Sequence, residues 1–201
     1  VGHYCAEWAG SGDREWWMRR LSAWYLRIRG WTFEGGLPDE PRFIVIAYPH
    51  TTNWDFFMFL AALSHFDLDA HFLGAKGLFV GPFGWYLRRM GGIPVDPATP
   101  GDSVRAAVDA FGEGGPMVLV LAPEGTRART SRWRTGFSRI ADALDLPVVM
   151  AYIDGPTKRI GLGPAVRVAG DADAWMDTAR EFYADKHGLK PHNRGPVSFE
   201  A

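Results

Sequence analysis

Phe43-Ile44-Val45-Ile46-Ala47-Tyr48, followed by Pro49-His50-Thr51-Thr52-Asn53-Trp54-Asp55, is the stretch from which the rest of the chain is read. The apolar run has the length and character of a strand, the polar residues form a short turn, and Asp55-Phe56-Phe57-Met58-Phe59-Leu60-Ala61-Ala62-Leu63 reads as a helix. His50 therefore stands at a strand-to-helix junction. On a continuous helix, five positions at about 100° each would turn His50 and Asp55 onto different faces, so the two meet only if the intervening residues are non-helical. Thr51, Thr52 and Asn53 suit that break as turn formers or helix caps. They leave Asp55 in the first turn, where a carboxylate is favoured and can accept the Nδ1 proton of His50. A histidine oriented in this way is a general base whose second nitrogen is free to take a proton from a hydroxyl. Taken alone, the pair equally fits a packed junction histidine and a helix cap, and the remaining motifs decide between the two.

Working outward, 201 residues with 47% hydrophobic content suffice for one full core, so a single domain is expected over 1–201. A net charge of -1 gives no general signal for nucleic acid, and any attraction to phosphate must come from local basic patches. The single cysteine, Cys5, cannot form an intrachain disulfide, and no metal-ligand spacing occurs. With no secretory leader in the opening segment, the expected setting is a reducing cytoplasm.

Nine Trp, beside thirteen Phe and six Tyr, exceed what a core of this size requires, and indole favours the boundary between water and acyl chains. Between Asp13 and Arg29, Trp16, Trp17, Leu21, Trp24, Tyr25 and Ile28 recur at helical spacing among Arg14, Arg19, Arg20, Arg27 and Arg29. This predicts an amphipathic helix over 13–29 that either lies in a membrane surface or packs on the domain. No run approaches the roughly 20 apolar residues of a spanning helix. The expected location is peripheral, on the inner face of the cell membrane.

Further strands are expected at Trp31–Glu34, Ala70–Gly74, Ile93–Val95, Met117–Leu121, Pro147–Ile153 and Ala165–Val168. Helices are expected at Gly81–Met90, from Asp102 or Ser103 to Phe111, at Gly136–Leu144 and around Asp173–His187. The alternation predicts an α/β domain, a mixed, largely parallel central sheet flanked by helices. A second polar cluster, Pro123-Glu124-Gly125-Thr126-Arg127, follows the buried Met117–Leu121 run. Glu124 and Arg127 could neutralise each other as a rim ion pair. Alternatively, Gly125 allows close backbone approach, and Arg127, Arg129, Arg132 and Arg134 make a phosphate-binding loop.

In their order, His50 with Asp55, the segment Phe79–Val95, the Glu124–Arg127 cluster and Pro147–Ala151 resemble the four motifs of the glycerolipid acyltransferases. The resemblance covers most of the chain from Phe43 to Ile153. It implies transfer of a fatty acyl group from a thioester, on coenzyme A or acyl carrier protein as co-substrate and with no other cofactor, to a hydroxyl of a lysophospholipid or related glycerolipid. It also implies that His50 is the base, Asp55 its orienter, and Glu124, Gly125, Thr126 and Arg127 the residues that bind the acceptor's headgroup. Elementary chemistry agrees: a thiolate leaves readily, so one base that deprotonates the attacking alcohol suffices without a covalent intermediate.

One departure bears on the acceptor. Where such enzymes usually end the strand after Gly92 with a phosphate-binding arginine, Asp96 is here followed by Pro97. Lys76, Arg88 or Arg89 would have to substitute, or the acceptor is a glycolipid or aminolipid. Two other classes compete. A serine hydrolase would need a Gly-x-Ser-x-Gly elbow, which is absent, and a non-catalytic lipid-surface module would have no use for both His50 and Asp55.

Overall fold

Alternation along Phe43–Ile46 sends Ile44 and Ile46 to one side and Phe43 and Val45 to the other, and all four are buried. A strand so apolar on both faces belongs at the centre of a covered, parallel sheet. The computed structural model, which describes residues 16–96, 98–99, 101–112, 117–168 and 172–199, places it there.

The strands are β1 (Thr32–Glu34), β2 (Arg42–Ala47), β3 (Ala70–Ala75), β4 (Gly92–Val95), β5 (Met117–Leu121), β6 (Pro147–Asp154) and β7 (Arg159–Arg167). They form one seven-stranded sheet in the order β1-β7-β6-β2-β5-β3-β4. Among the described residues, the β6/β7 pairing alone is antiparallel. The helices are α1 (Trp16–Ile28), α2 (Asp55–His65), α3 (Gly81–Arg89), α4 (Asp102–Gly112), α5 (Gly136–Leu144) and α6 (Ala172–Tyr183).

Helices cover both faces. Ile44, Ile46, Leu119, Val148 and Met150 meet Phe111 of α4, Phe137 and Ile140 of α5 and Trp175, Met176 and Tyr183 of α6 in the larger core. Phe43, Val45, Val118, Val120 and Val149 meet Leu63 and Phe59 of α2 on the opposite face. Each fully buried side chain of this size contributes about 1.5–3 kcal/mol, so the central strands anchor everything attached to their ends. Because β2 and β5 run parallel, with Ile46 opposite Leu121, their following loops emerge side by side at one edge. That pairing brings the His50 and Glu124 clusters together although 74 residues separate them.

The first helix resolves the two readings of its stripe in an unexpected way. Of the expected span, 13–15 lies outside the described residues. In the remainder, the small face packs inward, Ala23 and Leu26 against Ala61 of α2 and Ile160 of β7. Leu21, Trp24, Tyr25 and Ile28, at i, i+3, i+4 and i+7, stay between 52% and 60% exposed. The helix docks on the domain and still presents these four large apolar residues outward.

Two boundaries differ from the sequence reading. The last strand begins at Arg159, not Ala165, because a tight turn joins it to β6 as a hairpin. In that turn Asp154 Oδ2 accepts the Thr157 amide at 3.1 Å and the Thr157 hydroxyl at 2.5 Å. Gly161 and Gly163 depress the strand signal of Arg159–Pro164, yet they are needed. A Cβ on Gly161 would lie 2.7 Å from the Tyr152 ring, and one on Gly163 2.5 Å from the Phe182 ring. The final helix ends at Tyr183, not His187, and the chain continues as an irregular strap through 199.

Candidate active site

Past the end of β2, Tyr48 is buried against Trp133 and Tyr183, at ring distances of 4.8 and 4.9 Å. Its hydroxyl donates to the Gly195 carbonyl at 2.5 Å, and burial pushes it up to about 12. From this anchor the chain turns through His50. Asp55 is 4% exposed and is the hub of the turn. Its Oδ2 accepts the Thr51 amide at 2.6 Å and the Thr52 amide at 3.0 Å, and its Oδ1 accepts the Thr52 hydroxyl at 3.1 Å. The same Oδ2 lies 3.1 Å from His50 Nδ1. Thr52 keeps the expected turn-forming role, its Oγ1 accepting the Trp54 amide at 2.9 Å. The N-cap residue Trp54 makes no side-chain cap of its own, and the first helical carboxylate gathers the Thr51 and Thr52 amides around itself. With Nδ1 engaged, Nε2 is the nitrogen available for chemistry, and the ring keeps 27% exposure at the protein's surface.

The second loop leaves β5 at Leu121. Glu124 is 3% exposed, and its Oε2 accepts the backbone N–H of His50 at 2.8 Å. Burial raises its carboxyl from the usual 4.5 to about 7, with the His50 amide opposing the rise. The expected headgroup ligand thus faces inward and ties the two loops together, and the alternative ion pair with Arg127 does not form. Glu124 Oε1 has no hydrogen-bond partner among the described residues. Gly125 has φ +62°, and a Cβ there would sit 2.8 Å from Arg134 Nε, so the Arg134 side chain lies flat against the loop. Thr126 Oγ1 accepts the Ala128 amide at 3.2 Å and holds the outer turn. Arg127 is exposed and lines a cavity mouth.

That cavity, of about 630 Å³, lies between α2 and the β2/β5/β6 face. Val45, Val120, Ala151, Phe56, Phe59 and Leu63 form much of its wall, and His50, Asn53, Asp55 and Arg127 are its charged and amide-bearing groups. The volume falls in the ordinary range for a ligand site, and the walls suit an extended apolar chain with its polar end beside His50. Phe57, Leu78 and Phe83 line it too, while remaining exposed at its rim.

Lys76 and Arg88, expected to supply a second phosphate-binding cation, are engaged elsewhere. Lys76 Nζ pairs with Asp96 Oδ2 at 2.5 Å on the surface. Arg88 donates to the Phe79 carbonyl at 2.8 Å and lies over the Phe79 ring at 5.3 Å, bracing the start of α3. Neither lines the cavity. The sequence reading passed over the strap residues that hold Tyr48 and Thr51, because nothing in Pro191-His192-Asn193-Arg194 has a period or motif to mark it.

With this geometry in view, the likeness to known proteins has structural content. The family model described as Acyltransferase matches residues 32–154, more than half of the chain and inclusive of both loops. No curated protein matches it. Among solved structures, the fold is similar to that of PlsC, the 1-acyl-sn-glycerophosphate (LPA) acyltransferase of Thermotoga maritima. The TM-score is 0.58 with 19% identity, over 82% of this chain and 74% of that one. Two adjoining loops at the edge of a largely parallel sheet, a histidine held by a carboxylate and an apolar cavity beneath them accompany a family match over the same residues: the chain belongs to the Acyltransferase family and is an acyltransferase.

Proposed function

We propose that the protein moves a fatty acyl group from an acyl thioester, carried by coenzyme A or acyl carrier protein, to a hydroxyl of a lysophospholipid or related glycerolipid. The observation that carries this reading is the His50–Asp55 pair at the mouth of a cavity whose interior is apolar and whose mouth also bears Arg127. The acyl chain lies in the cavity and brings the thioester carbonyl to His50. His50 Nε2 takes the acceptor's hydroxyl proton as its oxygen attacks that carbonyl. The C–O bond forms, the C–S bond breaks, and the departing thiolate recovers the proton from the imidazolium. Asp55, fixed by two amides and a hydroxyl, keeps the Nδ1–H tautomer and stabilises the cation formed in transit. General base catalysis of this kind contributes about 10²–10⁴-fold.

Arg127, with Gly125 and Thr126 shaping its loop, grips the acceptor's anionic end. Among the described residues that line the cavity Arg127 is the one cation, and Lys76 is neutralised by Asp96; this favours a headgroup of low charge, so a glycolipid or aminolipid acceptor is the second reading. The enzyme works at a membrane surface, on the inner face of the cell membrane. Support comes from the outward stripe on α1, from the exposed rim of Phe57, Leu78 and Phe83, and from Trp54 and Trp85, also exposed. No described helix is long and apolar enough to cross a membrane.

The test is incubation with labelled acyl-CoA and a panel of lysophospholipids, glycolipids and aminolipids, with products read by mass spectrometry. His50→Ala is expected to abolish transfer with the fold intact by circular dichroism. Persistence of transfer in that variant, or release of free fatty acid with no acylated acceptor, would refute the mechanism. Sedimentation with vesicles, unchanged by His50→Ala, is expected for the membrane contact.

A further inference from the structure

After α6 the chain does not leave the domain but runs back over the loop edge of the sheet. Asp154 Oδ1 accepts the His187 amide at 2.7 Å, which starts the strap at the end of β6. Gly188 then presses on Thr51: a Cβ at Gly188 would lie 2.8 Å from Thr51 Cγ2. Two residues further, the Lys190 amide donates to Thr51 Oγ1 at 3.1 Å. Asn193 Nδ2 donates to the Thr51 carbonyl at 3.0 Å. Beyond this, Gly195 accepts from Tyr48 and lies against the Thr130 backbone, and the Ser198 carbonyl accepts the Trp133 amide at 2.6 Å. The strap is thus fastened to the loop that carries His50 and to the segment that follows Glu124.

The contact of consequence is the one on the Thr51 carbonyl. A peptide unit is planar and trans, so its C=O and the next N–H point in opposite directions from one rigid plate. The plate that joins Thr51 to Thr52 has Asn193 on its carbonyl end and Asp55 Oδ2, 3.0 Å from the Thr52 amide, on its other end. Rotation of the plate would break both bonds together. Asp55 Oδ2 is also the atom that faces His50 Nδ1. The orientation of the general base therefore depends on a carboxamide 142 residues away in sequence from the carbonyl it holds.

We propose that Asn193 is a positioning residue for the His50–Asp55 pair, acting through the Thr51–Thr52 peptide. It touches no reacting atom. Its carboxamide holds the plate that presents an amide to Asp55, and through Asp55 it holds the imidazole in the Nδ1–H tautomer with Nε2 free. The functional consequence rests on the acyl-transfer reading above; the geometric one does not.

Asn193→Ala removes both the donor and its bulk, whereas Asn193→Asp keeps the shape and turns the donor into an acceptor that repels the Thr51 carbonyl. Both are compared with the unaltered protein in two measurements. Steady-state acyl transfer is expected to lose about tenfold or more in kcat, with both substrates' KM values within about twofold, and Asn193→Asp is expected to be no better than Asn193→Ala. Long-range ¹H–¹⁵N correlation on histidine-labelled protein, with the His50 signals assigned from their loss in His50→Ala, is expected to show a single Nδ1–H tautomer. In both Asn193 variants it is expected to show a mixture of tautomers. Recovery of kcat and of the single tautomer in Asn193→Asp would mean that Asn193 only fills space and would overturn the proposal. So would a lowered Tm in either variant with the His50 tautomer unmoved. The spectroscopic measurement needs no substrate. A tautomer shift in a protein that transfers no acyl group would sustain the positioning role and refute acyl transfer instead.

Discussion

Replacing Glu124 by Gln tests how the His50 and Glu124 loops are joined. Burial raises this carboxyl to about 7, against 4.5 for the free side chain. Between those two values the folded protein holds a proton that the unfolded chain releases, so stability falls as the pH rises through the window. The stabilising effect is complete below about 4.5 and lost above about 7. The difference of about 2.5 pH units corresponds to a loss on the order of 3 kcal/mol. Glutamine stays neutral throughout, and its side-chain oxygen can still accept the His50 amide that Glu124 accepts at 2.8 Å. Urea unfolding of both proteins at about pH 5 and about pH 8 separates this contribution from the other titrating groups, which cancel in the comparison. The unaltered protein is expected to lose about 2.5 kcal/mol more than Glu124→Gln between the two conditions, leaving the variant the more stable at the higher pH. Equal losses in the two proteins would refute the assignment of a buried, proton-holding carboxyl at the loop junction.

Three further outcomes are expected. Arg127→Ala should raise the acceptor KM by about 10–100-fold with a smaller effect on kcat, as loss of a charge-assisted hydrogen bond worth about 1.5–3 kcal/mol requires; an unchanged KM would remove Arg127 from the acceptor site. Ala62→Leu enlarges a side chain in the cavity wall and should shift the accepted acyl length downward, at about fourfold for each methylene excluded, read from competition between acyl-CoAs of different length. Trp133 is fully buried, and its Nε1 has no partner among the described residues, so Trp133→Ala should cost about 3–5 kcal/mol in denaturant unfolding. Trp133→Phe, which keeps a ring and removes the unpartnered donor, should cost distinctly less.

The part of the fold carried by continuous apolar runs was legible because burial on two faces leaves a plain mark on composition. Met117–Leu121 and Pro147–Asp154 are cases in point, and β2 between them follows the same rule. The His50–Asp55 pair was legible for a related reason: a polar break between a strand and a helix fixes which residues meet. What lay beyond reading was the direction of each polar bond. Thr51 and Thr52 suit turn or cap roles in any local argument; Thr52 Oγ1 does take the Trp54 amide, yet the amides of both threonines go to the carboxylate of Asp55, a bond their spacing alone does not announce. Glu124 likewise reads as a surface partner for Arg127 until the pairing of β2 with β5 sets it beside the His50 backbone. Lys76 and Asp96 stand 20 residues apart with nothing to link them until β3 and β4 align. The strap leaves no periodic mark at all, since its order comes from the surface it crosses.

The strap also sets an order of events during synthesis. Tyr48 emerges from the ribosome 147 residues ahead of Gly195, the residue that accepts its hydroxyl. A nascent chain can assemble β2, α2 and β5 and still lack Lys190, Asn193 and the clasp beyond them, so the Thr51 hydroxyl and carbonyl wait for their partners until those residues are made. A ribosome stalled between Tyr183 and Lys190 would display a folded sheet whose His50 turn still waits for its clasp.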